Sequence, residues 1–249
     1  MNILVCLSNV PDTASKIKIS KDGTKIDSEG LQFVINPNDE FGLTRAIQLK
    51  EVIGATLTAV CVGEKPTDQI LRKALAIGVD RAIRVNASPT DSLFTSKQIE
   101  NIFKNGNFDC VIAGKESIDY NGGCVAAMLS ARLNIPYVNN CISMEINGNK
   151  ARCIREINGE KETLSVQIPF VMSSQKGLVE KKDLKIPNMR GIMQARQKTI
   201  EVIEATAHTL THSIKKYGPL PQKEPVELIA SDEIDKLVSV LNKKGKIFQ

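Results

Sequence analysis

Short apolar runs alternate with longer amphipathic ones through the first 135 residues, and this alternation restricts the fold more than any other feature of the chain. Residues 2–7, 56–62, 81–85 and 110–113 read as strands, and 31–35 as a short extended segment. Helices are expected between them: from Asp39 as cap to about 52, from Thr67 or Asp68 to 77, from about 91 to 104, and over 125–133. Ala46, Ile47, Leu49 and Ile53 supply the buried face of the first, and Gly78 ends the second in a left-handed cap. Strands that are apolar along nearly their whole length are covered on both faces. The pattern therefore predicts an α/β fold, a doubly wound parallel sheet.

The stretch from Cys110 to Cys124 places a site on that fold. Its apolar run stops at Gly114, a polar loop follows, and Gly122 and Gly123 open the next helix. Open α/β sheets hold nucleotides beyond the carboxyl ends of their strands, where free N–H groups of a helix N-terminus receive phosphate. Paired glycines allow the backbone to come close to such a ligand. No catalytic nucleophile of comparable clarity occurs elsewhere. His208 and His212, with Glu204 one turn earlier, have the spacing of helical metal ligands, but no further clustered ligand accompanies them and no metal is expected.

After Pro136 the period changes. Asn147-Gly148 and Asn158-Gly159 signal hairpin turns, with antiparallel strands at 151–157 and 163–168. Residues 174–188 are charged and aperiodic and read as a long exposed loop, followed by a helix or extended arm over 192–207. A Pro-rich linker, 218–225, precedes a helix over 232–243 whose Ile234, Leu237, Val238 and Leu241 form one apolar stripe. The expected organisation is thus a nucleotide-binding unit over 1–190 and a C-terminal arm over 191–249.

Composition narrows the partners. Thirty-three basic against 28 acidic residues leave a net charge of +5, and the chain has no Trp, three Tyr and seven Phe. Stacking platforms for single strands are scarce, so no nucleic acid is expected; the basic surplus suits an acidic protein partner or a solvated face. No apolar run approaches the ~18 residues that span a bilayer, and no basic n-region precedes Ile3. Neither membrane insertion nor secretion is expected. The six cysteines form no C-x-x-C pair and read as small buried hydrophobes of a reducing compartment, with the cytoplasm as default.

Four segments together resemble the β subunit of electron transfer flavoproteins over nearly the whole length. The opening run from Ile3 to Thr13 looks like that family's first strand and its Val-Pro-Asp loop. Asn36-Pro37-Asn38-Asp39-Glu40 is similar to its Asn-Pro-Phe-Asp-Glu segment, and Gly114-Lys115-Glu116-Ser117-Ile118-Asp119 to its Gly-[Lys/Arg]-Gln-[Ala/Ser]-Ile-Asp. The run from Arg155-Glu156 to Pro169 and Val171 is similar to the family's signature hairpin. The resemblance implies an adenine-nucleotide domain paired with an α subunit that carries the electron-transferring FAD. It also implies AMP in this subunit, or a second FAD in electron-bifurcating members, and a loop over 174–195 that docks an acyl-CoA dehydrogenase or similar flavoprotein.

Carried over residue by residue, the cofactor site falls on Cys6, Asn36, Pro37, Asn38, Asp39, Val62, Gly114, Lys115, Ser117, Ile118, Asp119, Asn121, Gly122, Gly123, Cys124 and Val125. Met189 stands where the family has its anchoring leucine, beside Arg190 and Met193, and Arg155 and Glu156 face the partner's flavin. The residues themselves admit plainer readings. Pro37 presets an extended turn, and the Asn36 amide can serve an adenine edge or backbone. Cys6 and Val62 leave room for a flat ring or are ordinary core. Lys115 adds charge or is solvated, and Asp119 accepts from a ribose hydroxyl or a backbone N–H. Arg155 and Glu156 make partner contacts or exposed cross-strand pairs.

The chain departs from the family where members usually have Gln and Gly and it has Cys124 and Ala126. An amide is lost, a methyl is added where phosphate approaches, and Cys124 reads as packing. Tyr120 can cover the ligand. The Met189-Arg190-Gly191 run is closer to bifurcating members and, with Val10-Pro11-Asp12-Thr13, favours a second FAD. A rival class is the adenine-nucleotide sensor of the universal-stress type, but its Gly-x2-Gly-x9-Gly-Ser/Thr run is absent.

Overall fold

The computed structural model describes residues 1–207, 214–223 and 225–245. In chain order it forms β1 (Asn2–Cys6), β2 (Asn9–Pro11), β3 (Lys18–Ile19), β4 (Ile26–Asp27), β5 (Phe33–Ile35), α1 (Pro37–Ile53), β6 (Thr56–Val62), α2 (Asp68–Ile77), β7 (Arg81–Asn86), α3 (Ser92–Lys104), β8 (Cys110–Gly114) and α4 (Val125–Leu133). There follow β9 (Tyr137–Asn147), β10 (Lys150–Ile157), β11 (Glu160–Gln167), β12 (Phe170–Ser174), α5 (Met189–Gln197), β13 (Ile200–Glu204) and α6 (Ile234–Gly245).

Nine strands share one sheet in the order β11-β10-β9-β12-β8-β1-β6-β7-β13. From β9 to β13 neighbours run parallel, while β10 and β11 extend one edge as antiparallel hairpins. Period-two alternation sorts each central strand between two helix layers. Ile3 and Val5 of β1 join the apolar cluster built with Leu43 and Ala46 of α1 and Leu71 of α2. Leu4 and Cys6 face the other cluster, with Ile99 of α3 and Leu129 of α4. The predicted doubly wound parallel sheet is the observed one.

The chain steps from β1 to β6 on one side and later returns to β8 on the other, so β1 pairs with both. That reversal opens a crevice beyond the carboxyl ends of β1 and β8, the place where doubly wound sheets bind ligands. Asn36, rather than the expected Asp39, occupies the N-cap of α1, and Pro37 supplies a helical first turn that needs no N–H. Gly54, left-handed at φ 68°, closes α1 through its N–H to the Lys50 carbonyl. Between β10 and β11 Asn158 and Gly159 both have positive φ, 51° and 84°, as a two-residue hairpin turn requires.

Two later segments differ from their sequence readings. The aperiodic 174–188 stretch is not wholly exposed: Leu178 and Val179 are buried, and the Lys185 N–H donates to Thr44 Oγ1 at 3.3 Å. Residues 192–207 form most of α5 and then β13, which pairs in parallel with β7 as an edge strand. Beyond it, Gln98 of α3 donates to the Thr206 carbonyl at 2.9 Å and accepts from the Thr206 N–H at 2.9 Å. This amide clamp roots the C-terminal segment. Ile234, Leu237 and Val238 of the expected apolar stripe of α6 are exposed.

Candidate nucleotide site and docking face

Asp39 sits at the bottom of the switch-point crevice and joins its two walls. Its Oδ2 accepts the Ser8 N–H at 2.6 Å, just past β1, and its Oδ1 accepts the Gly114 N–H at 2.9 Å, at the end of β8. The carboxyl is buried. Burial pushes its pKa up to about 7, against the opposing pull of the hydrogen bonds from Asn36, Ser8 and Gly114. Gly114 is required here: a Cβ would lie 2.1 Å from Asp39 Oδ1.

Asn36 staples the loop to α1. Its Nδ2 donates to Asp39 Oδ1 at 3.0 Å and to the Glu116 carbonyl at 2.9 Å, and its Oδ1 accepts the Ile118 N–H at 3.2 Å. Both amide hydrogens are thereby committed within the protein, so of its two sequence readings the side chain takes the backbone one. Asn38 Nδ2 also reaches the Glu116 carbonyl, at 3.0 Å. Cys6 and Val62 lie buried at the ends of β1 and β6, and burial raises the Cys6 thiol far above its usual range.

The loop beyond Gly114 is held at its root and open at its far end. Lys115 pairs with neighbouring Glu116 at 3.3 Å, and Asp119 accepts the N–H of Tyr120 at 2.9 Å. Asn121 donates its N–H to the Ser117 carbonyl at 2.8 Å. Asn121 and Gly123 take left-handed conformations, φ 49° and 62°. The N–H groups of Gly122, Gly123, Cys124 and Val125 find no acceptor among the described residues. With the dipole of α4 behind them, they form a set of anion donors.

Two departures from the family pattern resolve physically. Ala126 is buried in the cluster with Leu129, so its methyl fills core and adds nothing to the loop surface. Cys124 is exposed rather than packed, with its Sγ 2.9 Å from the Gly122 carbonyl. Tyr120 OH lies 3.1 Å from Tyr217 OH, and the Tyr217 N–H donates to the Gly23 carbonyl at 2.8 Å. Burial and this contact raise the Tyr120 phenol. The C-terminal segment thus touches the loop between β8 and α4, a link that no local sequence signal announces.

Asn9 was not singled out from the sequence. It opens β2, three residues past the end of β1, and its Oδ1 is buried without a hydrogen-bond partner among the described residues. A buried acceptor left unpaired is destabilising unless a ligand or water supplies a donor. The free N–H set and this orphan acceptor fit a nucleotide, with phosphate at the first and a polar edge at the second.

The expected partner-binding residues fall in two separate places. Arg155 lies on β10 and pairs with Glu162 across the hairpin at 2.6 Å, while its second terminal nitrogen donates to Asn139 Oδ1 at 2.6 Å. Glu156 points to the opposite face and accepts from Gln175 at 3.0 Å. Met189, Arg190 and Met193 lie on α5, which packs against α2. Met189 is 74% and Met193 63% exposed. His208 and His212 lie outside the described residues, and no metal-binding group occurs among those described. No helix of the described residues is long and apolar enough to cross a membrane.

Comparison with known proteins gives one consistent result. The electron transfer flavoprotein domain matches residues 23–208. The chain is 33% identical to the electron transfer flavoprotein subunit beta of Bacillus subtilis over 99% of its own length and 100% of that protein. It is 33% identical to the subunit beta of Syntrophomonas wolfei, covering 90% of this chain and 87% of that one. With the human subunit beta it shares 30% identity over 82% of this chain and 81% of the relative.

Proposed function

The chain belongs to the electron transfer flavoprotein family as a β subunit, and from that premise we propose that its switch-point crevice holds adenosine monophosphate, as AMP itself or as the AMP half of a second FAD. As a β subunit it works with an α subunit in a flavin-binding heterodimer that carries electrons between dehydrogenases and a downstream acceptor. Family membership does not favour the reading as a universal-stress sensor.

The observation that carries the nucleotide proposal is the N–H set from Gly122 to Val125 at the start of α4, which has no acceptor among the described residues. Phosphate takes those donors, and Asn9 Oδ1 receives a donor from the rest of the nucleotide. Asp39 and Asn36 act beneath them, holding the strand ends and the loop in register. FAD supplies the redox chemistry when bound; this chain binds, orients and shields.

Residues 174–195 dock the electron-transfer partner, an acyl-CoA dehydrogenase or similar flavoprotein, through the exposed Met189 and Met193. The Arg155–Glu156 hairpin faces the flavin of the α subunit, and the exposed stripe of α6 packs on that subunit after the 218–225 linker. Five of the six free thiols are buried, which suits a reducing compartment such as the cytoplasm.

The test is a count. The purified heterodimer is assayed for FAD by absorbance, and nucleotides released on denaturation are identified by chromatography. One FAD with one AMP assigns AMP to the crevice, and two FAD assign the second flavin. A heterodimer that releases no adenine nucleotide besides a single FAD overturns the nucleotide site.

A further inference from the structure

We propose that the groove between α2 and α5 receives an apolar side chain flanked by carboxylates, presented by the partner dehydrogenase beside the Met189 anchor. This rests on the docking reading of residues 174–195 and extends it from one anchor to an exchange in both directions: the carrier inserts methionine, and the partner inserts a side chain in return.

The groove encloses about 560 Å³. One wall is a single stripe of α2, Gln69, Arg72, Lys73 and Ala76, at the spacing that puts residues on one helix face. The other is Ile192, Ala195 and Arg196 of α5, with Pro187 at the mouth. Two contacts fix the helix pair. Gly191 lies so close to α2 that a Cβ would stand 2.2 Å from the Ala76 carbonyl oxygen. Arg72 donates to the Ala195 carbonyl at 2.6 Å and to the Lys198 carbonyl, tying down the far end of α5. The cleft is therefore set by the backbone positions of the two helices.

Charge and continuity select the occupant. The lining carries three cations and no carboxylate. Lys73 is paired with Glu40 at 2.7 Å, and Arg72 is turned to backbone carbonyls. Arg196 is exposed and has no ion-pair partner among the described residues. An apolar lining of Ala76, Ile192 and Ala195 beside that guanidinium matches an apolar tip with a carboxylate neighbour. The mouth at Pro187 continues into the most exposed apolar surface of the segment: Ile186 is 84%, Met189 74% and Met193 63% exposed. Whatever covers those residues also lies over the groove.

The experiment uses the intact αβ complex with a purified acyl-CoA dehydrogenase as probe, and follows carrier flavin reduction as carrier concentration varies. Ala76→Leu fills the groove, Arg196→Glu reverses its free charge, and Met189→Ala removes the neighbouring anchor. The first two each raise the KM for the carrier about tenfold, equivalent to about 1.4 kcal/mol, with kcat and FAD content unchanged. Arg196→Glu also flattens the dependence of KM on ionic strength, and being exposed it tests the proposal even where Ala76→Leu misfolds. Unchanged KM in both, with Met189→Ala raising it, overturns the groove and leaves the docking reading standing. Unchanged KM in all three overturns both. A shift in the sedimentation of the αβ complex alone, with KM unchanged, assigns the groove to a second copy and likewise overturns the proposal.

Discussion

The Gly114 N–H donates to Asp39 Oδ1 at 2.9 Å, and a Cβ on Gly114 would lie 2.1 Å from the same oxygen. The last residue of β8 is thus held by a carboxylate of α1 at a distance only glycine permits. Gly114→Ala forces either the helix or the strand end to shift, since Asn36 and Asn38 crowd the same space. Its expected cost is about 1–3 kcal/mol, as for other overpacked core sites. Denaturant unfolding measures it, and the heterodimer should also lose its adenine nucleotide more readily on gel filtration. Wild-type stability and retention in the variant would reject the strand-end role.

Asp39 makes this junction sensitive to pH, and the sign follows from its raised pKa. Burial lifts the folded-state value to about 7 from the ordinary 3.8. Between those limits the folded protein holds a proton that the unfolded chain releases. Its stabilising contribution is therefore full below about pH 4 and is lost as pH rises toward 7. Asp39→Asn cannot titrate, so the stability gap between wild type and variant should be widest near pH 4 and narrow steadily as pH rises to 7. Urea unfolding at three pH values checks it; a gap that widens with pH would show that the hydrogen-bond donors outweigh burial.

Asp39 also shows where sequence reading stops. The Asn-Pro-Asn-Asp run announces a helix start, and α1 begins there. What decides the role of Asp39 are the N–H groups of Ser8 and Gly114, 31 and 75 residues away, which no local pattern brings together. The central strands were legible because both faces are buried and their apolar runs are continuous. β13 was not: as an edge strand it leaves Glu201 and Val202 exposed side by side, and so short a pattern fits helix or arm equally well. The strand end, loop and helix start around the proposed nucleotide site were legible from Gly114, Gly122 and Gly123. Asn9 stayed hidden because only its unpaired, buried oxygen marks it.

Gln98 is nearly fully buried and pairs with both backbone groups of Thr206, and Thr206 Oγ1 accepts from Asn101 at 2.8 Å. Gln98→Ala removes these two bonds and a third, donated by Thr206 Oγ1 to Gln98 Oε1 at 3.2 Å, and should cost about 1–3 kcal/mol locally. The effect belongs to that segment. Amide exchange at residues 203–207 should accelerate while β1 and β8 keep their protection, and limited proteolysis should cut sooner after β13. Uniform acceleration across the sheet would show that Gln98 supports the core as a whole.

Gly191 sets where α5 lies. A Cβ at this position would stand 2.2 Å from the Ala76 carbonyl oxygen, an atom of helix backbone that cannot swing aside. The Asn188 side chain also caps α5 through the Gly191 N–H at 2.7 Å, so a shift of this residue disturbs the helix start as well. Gly191→Ala should therefore push α5 away from α2 and displace Met189 and Met193 together. The crevice proposed for the nucleotide lies at the ends of β1 and β8, beyond the reach of that movement, so nucleotide and FAD content should be retained. Electron transfer to a partner dehydrogenase should slow about tenfold, through a higher KM for the carrier. Gly191→Ser should behave alike, because any Cβ makes the same clash. Normal transfer in both variants would mean that α5 accommodates the displacement, and that the position of this helix does not govern docking.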